Sequence, residues 1–254
     1  MEHVTRILAV AGKGGVGKTS IASAFVRALT EARPDKRILA IDADPAVGLS
    51  TALGVEITQT LDHIRKSIVS SVEEGRPKEA VELLAEARYR IFDTMVERRS
   101  FSFLAIGRPE SAGCYCKVNS YLQMVIGMLS GDFDYVVIDG EAGVEQINRR
   151  VMEKVTDLVL VTDPSRKGTS VIETIRRVAD ELVMFDRCGA IINRLTDPSL
   201  LERVQVTCAE VLAVIPADDK HAVNDVEGGN IFDLPADSPL LRGARQALEK
   251  LKIL

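Results

Sequence analysis

A glycine-rich loop near the start of the chain constrains the fold more than any other feature of the sequence. Its residues are Gly12, Lys13, Gly14, Gly15, Val16, Gly17, Lys18 and Thr19, followed by Ser20. The loop lies between an apolar run at residues 7–11 and a helical pattern at residues 19–31. In such a strand–loop–helix unit, glycines let backbone N–H groups surround phosphate oxygens at a helix N-terminus. The loop therefore predicts a nucleotide site, in which Lys18 reaches the β- and γ-phosphates and the Thr19 hydroxyl binds Mg²⁺.

Further apolar runs without polar alternation predict six more strands. They span residues 38–41, 102–106, 135–138, 158–162, 190–192 and 211–215, with helical patterns between them, among others at 118–129, 168–185 and 240–251. Continuous apolar runs are typical of parallel strands that are covered on both faces. The alternation predicts a single α/β P-loop domain over residues 1–254, with a doubly wound, mainly parallel sheet of about seven strands.

Residues 61–100 interrupt this alternation. They hold no strand candidate but show two amphipathic helical patterns, separated by Gly75, Arg76 and Pro77. In the second pattern Leu83, Leu84, Ala87 and Ile91 share one face. We expect a helical excursion with a solvated charged face, and a partner-docking surface is the alternative.

Charge and composition limit the partners. The net charge is −5, acidic and basic residues are interspersed, and there is no Trp, all of which argues against a nucleic-acid partner. The longest stretch without a charged residue, 118–131, has 14 residues and is too short to span a bilayer. The first residues show no basic-then-apolar signal pattern. We expect a cytoplasmic protein without stable membrane insertion.

Aspartates follow two of the predicted strands. Asp42 and Asp44 come after residues 38–41, and Asp139 ends the run at 135–138. The carboxyl ends of parallel strands form the edge at which α/β folds bind ligands. A carboxylate after a hydrophobic strand, downstream of a phosphate-binding loop, is typical of the Walker B position, so Asp139 is predicted to hold Mg²⁺ indirectly. A helix cap is the alternative role for any one of the three.

A second lysine inside the loop narrows the family. With Lys13, the loop resembles the deviant Walker A family of SIMIBI-type P-loop ATPases, which includes MinD, ParA, the nitrogenase iron protein and metal-site maturation ATPases. The resemblance implies an ATPase that works as a homodimer, in which Lys13 reaches the partner's nucleotide. A cation supplied in trans accelerates phosphoryl transfer by ~10³–10⁵. An exposed loop cation without this role is the alternative for Lys13.

The same resemblance implies roles for other residues. Asp44 positions or deprotonates the attacking water, and Asp42 supports Mg²⁺ through its water shell. Gly143 lies in a second switch segment and offers its N–H to the γ-phosphate. On the base side, Asn193 contacts adenine, and Pro216 and Asp218 form a second base-side loop. ATP is the predicted nucleotide because no Asn-Lys-x-Asp segment for guanine is present after the corresponding strand.

Cys114 and Cys116 form a Cys-x-Cys pair between a predicted strand and a predicted helix. Two thiolates cannot complete a tetrahedral or square-planar shell, but a two-fold axis would bring two pairs together as an S₄ site. Such a site suits Zn²⁺, an Fe–S cluster or square-planar Ni²⁺. Incidental surface thiols or a local redox pair are the alternatives.

The cysteine pair and the Asp-Gly-Glu-Ala-Gly segment at 139–143 resemble CooC-type accessory proteins. The resemblance implies an ATP-dependent metallochaperone that binds Ni²⁺ or Zn²⁺ at the cysteine pair and serves a client metalloenzyme, carbon monoxide dehydrogenase or acetyl-CoA synthase. Two other functions stay open: a MinD/ParA-like positioning ATPase and an ATP-dependent reductase that carries an Fe–S cluster. For the apolar stripe at 240–251, packing on the sheet is favoured over membrane contact.

Overall fold

An eight-stranded sheet runs through the part of the chain that the structure, a computed structural model, describes. The described residues are 4–44, 47–107, 124, 126, 127, 129–142 and 154–254. The strands are β1 (Arg6–Gly12), β2 (Ile38–Asp42), β3 (Val96–Glu97), β4 (Ser102–Ala105), β5 (Tyr135–Ala142), β6 (Lys154–Thr162), β7 (Met184–Leu195) and β8 (Glu210–Pro216). All seven predicted strands are present, so the mainly parallel α/β fold is confirmed.

The strand order is β3-β4-β2-β5-β1-β6-β7-β8, and every neighbouring pair is parallel except β3 with β4. Strand β1 lies between β5 and β6. The chain builds β2 to β5 on one side of β1 and β6 to β8 on the other, so its direction across the sheet reverses at β1. In open α/β sheets, ligands bind outside the carboxyl ends of the strands at such a reversal point. The glycine-rich loop begins at this point.

Helices cover both faces of the sheet. Those that the structure describes with defined bounds are α1 (Lys18–Ala32), α2 (Gly48–Ala52), α3 (Leu61–Glu73), α4 (Pro77–Thr94), α5 (Arg166–Leu182), α6 (Asp219–Val226) and α7 (Pro239–Lys250), with 3₁₀ turns at Pro198–Arg203 and Ile231–Asp233. Along β1, Leu8 and Val10 join the apolar layer that contains α1 and α7, whereas Ala9 and Ala11 join the layer that contains α3, α4 and α5. The sheet is therefore doubly wound, as predicted.

Two local predictions were wrong. Residues 61–100 form the two expected helices, with Ala87 and Ile91 buried, but they also contain β3. Strand β3 has only two residues and forms by antiparallel pairing with β4, which its own sequence does not indicate. The helix predicted to run to residue 185 ends at Leu182, because Met184 and Phe185 pair with Lys154 and Val155 of β6.

Helix α7 packs its apolar side against α1 and β8. Leu240, Leu241, Ala244 and Leu248 are buried in the core, which confirms the packing interpretation of this stripe. A Cβ at Gly243 would lie 2.4 Å from a side-chain carbon of Ile215, so the helix approaches the sheet closely. No helix in the described part of the chain is long and apolar enough to cross a membrane.

Candidate active site

The loop between β1 and α1 presents bare backbone to its surroundings. A Cβ at Gly12 would lie 2.3 Å from the Val161 carbonyl oxygen on β6, so only glycine lets the chain leave β1 here. Gly15 and Gly17 have φ angles of 83° and 91°, which glycine adopts without strain. A Cβ at Gly14 or Gly15 would meet no atom within 4 Å. The loop therefore leaves open space beside its backbone, as a phosphate group requires.

Two consecutive residues at the end of β7 hold the outside of the loop. The Asn193 amide Nδ2 donates to the Val16 carbonyl oxygen at 2.8 Å, and Arg194 Nη1 donates to the Gly15 carbonyl oxygen at 2.8 Å. Arg194 has a φ of 60°, which is uncommon outside glycine. Carbonyl groups fixed in this way orient the intervening amides of the loop. Asn193 thus lies beside the loop, whereas no pattern in the sequence indicated the contact from Arg194.

Lys18 is buried at the start of α1, and its Nζ donates to the Lys13 carbonyl oxygen at 3.3 Å. The ammonium group therefore folds back over the loop and places a positive charge inside it. Lys13 itself is half-buried in the loop. The structure thus brings both predicted lysines to the phosphate-binding loop.

Half-buried Thr19 and two buried aspartates form a cluster beside this loop. The Thr19 hydroxyl donates to Asp139 Oδ2 at 2.7 Å, and Asp42 lies opposite Asp139 in the pairing of β2 with β5. Asp42 accepts the backbone N–H groups of Asp44 at 3.1 Å and Leu49 at 2.8 Å. The Asp42 carboxylate therefore also anchors the start of α2. Half-buried Asp44 follows directly on the same edge of the sheet.

The two carboxylates of this cluster are difficult to ionise. Burial raises the pKa of Asp42 to about 7, and the neighbouring charge of Asp139 adds to the effect, while the N–H groups of Leu49 and Asp44 oppose it. Burial likewise raises the pKa of Asp139 to about 6, against the Thr19 hydrogen bond and the Lys18 charge.

Asp139 Oδ1 is buried without a hydrogen-bond partner among the described residues. Carboxylate and hydroxyl oxygens suit Mg²⁺, and a divalent cation would neutralise the repulsion between the two acids. The residues present thus fit the predicted ion.

The predicted base-side loop lies at the end of β8, where Pro216 is exposed. Asp218 caps α6 by accepting the His221 backbone N–H at 3.1 Å, and it also accepts the Ser238 hydroxyl at 2.5 Å and the Leu240 N–H at 3.3 Å. Burial alone would raise the pKa of Asp218, but these hydrogen bonds lower it below its usual value. The Asp218 side chain thus joins the starts of α6 and α7.

Ser20 has a partner from a distant part of the chain. Its Oγ lies 3.0 Å from Nε2 of His221, in the first turn of α6. Because the two residues are 201 positions apart, no local pattern in the sequence indicates this contact.

Three predicted site residues, Cys114, Cys116 and Gly143, lie outside the described residues. Within the described residues, no group of three or more His, Cys, Asp or Glu side chains is arranged to hold a metal ion. The nickel or zinc site therefore stays a prediction from the sequence.

The chain matches the family of anion-transporting ATPases over residues 5–215. It is 33% identical, over 250 residues, to an uncharacterized ATP-binding protein of Methanocaldococcus jannaschii, an alignment that covers 96% of this chain and 98% of that protein. It is 30% identical, over 254 residues, to the carbon monoxide dehydrogenase accessory protein CooC of Rhodospirillum rubrum, covering 95% of this chain and 94% of CooC.

The chain is also similar to MinD proteins. The septum site-determining protein MinD of Synechocystis is 26% identical over 235 residues, which cover 87% of this chain and 79% of that protein. Among solved structures, MinD of Pyrococcus horikoshii in complex with Mg-ADP superposes with a TM-score of 0.70 at 23% identity, covering 98% of this chain and 96% of that chain. This likeness shows the same fold. Because the family model matches most of the chain and CooC is 30% identical over nearly its whole length, the chain belongs to the ArsA-type, anion-transporting family of P-loop ATPases.

Proposed function

We propose that this chain is an ATP-hydrolysing homodimer that assists metal insertion into carbon monoxide dehydrogenase or acetyl-CoA synthase. The cluster of Thr19, Asp42 and Asp139 beside the glycine-rich loop carries the ATPase part of the proposal. The client enzyme is inferred from the relationship to CooC, which extends over nearly the whole of both chains.

The residues of the loop bind the triphosphate. Backbone N–H groups from Gly14 to Thr19 surround the phosphate oxygens, and Lys18 balances charge on the β- and γ-phosphates. Thr19, Asp139 and Asp42 would hold Mg²⁺, which supplies neutralisation of the charge that develops on the phosphates. Asn193, Pro216 and Asp218 contribute the nucleoside side of the site, and Ser20, next to Thr19 at the start of α1, contributes to the phosphate side.

Hydrolysis requires a positioned water and a second subunit. Asp44, next to the cluster of Thr19 and the two aspartates, orients the attacking water and accepts its proton. Lys13 reaches the nucleotide of the partner subunit, where its charge stabilises the transition state. Gly143 donates its N–H to the γ-phosphate and so couples the nucleotide state to the segment that follows β5.

The metal is the cargo of this cycle. Cys114 and Cys116 from the two subunits together supply four sulfur ligands for Ni²⁺, with Zn²⁺ as the alternative. ATP binding brings the subunits together and completes the site, and hydrolysis opens it.

The test combines metal analysis with size-exclusion chromatography, with and without a non-hydrolysable ATP analogue. The wild type should elute as a dimer with the analogue and carry about one Ni²⁺ per two chains. The Cys114→Ser/Cys116→Ser variant should lose the metal. Cys188→Ser/Cys208→Ser is the matched control, since both thiols are free and half-buried elsewhere in the structure. Stoichiometric metal in the Cys114→Ser/Cys116→Ser variant would contradict the ligand assignment.

A positioning ATPase is the second candidate, since MinD relatives match this chain over most of its length. Its membrane-binding form would need an exposed apolar helix face, whereas the apolar side of α7 is buried in the core. Co-sedimentation with anionic liposomes in the presence of ATP separates the two functions. Nucleotide-dependent binding to the liposomes would favour the positioning function.

A further inference from the structure

Two neighbouring hydroxyl groups at the start of α1 have partners on opposite sides of the loop. Thr19 donates to Asp139 on β5, whereas Ser20 contacts His221 on α6, which follows β8. In the strand order, β5 and β8 lie on opposite sides of β1. Ser20 therefore faces the side of the loop on which Pro216 and Asp218 lie.

The surroundings of His221 determine which ring nitrogen carries the proton. His221 Nδ1 is buried and has no hydrogen-bond partner among the described residues, while Nε2 lies 3.0 Å from Ser20 Oγ. A buried N–H without an acceptor is less favourable than a buried lone pair without a donor. The hydrogen-bond network thus assigns the proton to Nε2, which donates to Ser20 Oγ. The Ser20 hydroxyl is then left with its own proton to donate elsewhere.

The position of His221 is fixed by the fold. Its backbone N–H is bound by Asp218 at the start of α6, and the same carboxylate binds Ser238 and Leu240 at the start of α7. Because α7 is packed into the core, the imidazole is held at the end of a rigid support. Such support is what a residue needs in order to orient a neighbouring group.

We propose that His221 is a positioning residue that turns the Ser20 hydroxyl toward the α-phosphate of bound ATP or ADP. The inference rests on the proposed nucleotide function. Lys18 and Thr19 serve the β- and γ-phosphates, so the next hydroxyl along α1, on the side proposed for the base, is placed for the remaining phosphate. By accepting from His221, Ser20 keeps its proton directed at the phosphate, and a hydrogen bond to a charged group is stronger than one between neutral groups.

The experiment compares His221→Gln, whose amide N–H can replace the Nε2 donor, with His221→Met, which keeps the bulk and lacks the donor. Dissociation constants for Mg-ADP and Mg-ATP are measured by titration calorimetry, together with KM and kcat for ATP hydrolysis. Ser20→Ala and the Ser20→Ala/His221→Met double variant complete a double-mutant cycle with His221→Met and the wild type. Exposed His63 on α3 provides the matched control His63→Met. Thermal unfolding measured without nucleotide establishes that each variant is folded.

We expect Ser20→Ala to weaken the binding of both nucleotides about tenfold or more, and His221→Met to weaken it about three- to tenfold. His221→Gln and His63→Met should bind within about twofold of the wild type. KM should rise while kcat stays close to the wild-type value, because the contact is made equally in the ground and transition states. The double variant should bind no more weakly than Ser20→Ala, since His221 acts through Ser20.

Additive losses in the double variant would overturn the inference, as would wild-type affinity in His221→Met. If His221→Met does not fold, the nucleotide affinities of His221→Gln and Ser20→Ala test the inference instead. A loss in His221→Gln as large as in Ser20→Ala contradicts the donor role, and wild-type affinity in Ser20→Ala removes the contact to the phosphate. A wild type that binds neither nucleotide would overturn the proposed function instead, so the two failures are distinguishable.

Discussion

Replacing Asp139 by Asn should stabilise the nucleotide-free protein at neutral pH while weakening its response to Mg-ATP. Asp139 is fully buried, and burial raises its pKa to about 6, against a usual value of about 4 in an unfolded chain. A difference of about two pKa units corresponds to roughly 3 kcal/mol of unfolding free energy. Asn has the same shape and no charge, and its carbonyl oxygen can still accept from the Thr19 hydroxyl.

The sign of the effect follows from the direction of the pKa shift. An acid whose pKa is raised in the folded state contributes stability below its unfolded pKa of about 4, and this contribution is lost as the pH rises through about 6. The amide of the Asp139→Asn variant does not titrate, so the advantage of the variant should grow from a small value at pH 4 to roughly 3 kcal/mol at pH 7.5. Removing the charge also lowers the pKa of Asp42, which acts in the same direction.

The assay is urea unfolding from pH 4 to pH 8 with divalent ions chelated and nucleotide removed. The measured quantity is the difference in unfolding free energy between Asp139→Asn and the wild type at each pH. Asp132→Asn is the control, because this exposed carboxylate is solvated in both the folded and the unfolded chain. A difference that stays constant with pH, or falls as the pH rises, would refute the reasoning. With Mg-ATP added, the wild type should gain more stability than the variant.

Four further substitutions test other parts of the structure. Lys18→Ala should abolish measurable ATP binding in calorimetry. Lys13→Ala should still bind ATP but hydrolyse it at least about 10³-fold more slowly. An equal loss of ATP binding in both variants would contradict the proposal that Lys13 acts on the nucleotide of the partner subunit. Asn193→Ala removes the bond to the Val16 carbonyl and should weaken ADP binding several-fold, with unchanged affinity as the contrary result. Leu241→Ala on buried α7 should lower the unfolding free energy by about 2–5 kcal/mol, measured by urea unfolding, and a loss below about 1 kcal/mol would contradict its core position.

Strands whose apolar residues are nearly all buried could be predicted from the sequence. The run before Gly12 and the run before Asp139 each lie in the middle of the sheet, where both faces are covered and no polar alternation is needed. The length of β7 could not be predicted in this way. Its residues 184–188 are partly exposed and carry charges, and they become strand only because β6 pairs with them. Pairing over the whole length of β6 therefore outweighs the local helical pattern that was predicted to extend to residue 185.

The same distinction applies to the site. The loop and the strand-end aspartates follow from short patterns, and the structure brings Thr19, Asp42 and Asp139 together as those patterns predict. The contact of Arg194 with Gly15 joins residues 179 positions apart, and that of His221 with Ser20 joins residues still further apart. Such contacts depend on where β7 and α6 lie beside the loop. Only the order of the strands establishes that arrangement.

The two buried acids lower the unfolding free energy of the nucleotide-free protein for two reasons, one local in the sequence and one set by the order of the strands. Apolar residues before Asp42 and Asp139 bury each carboxylate, and this can be inferred from either strand alone. Their mutual repulsion exists only because β2 and β5 are neighbours with these two residues in register. A divalent cation held beside these carboxylates through its water shell would stabilise their charged forms, so part of the free energy that burial and repulsion cost the nucleotide-free protein is recovered on binding. The nucleotide-free and Mg-nucleotide states should therefore differ little in this respect near pH 4, where both acids are protonated, and increasingly as the pH rises through about 6 and about 7, where Asp139 and then Asp42 ionise.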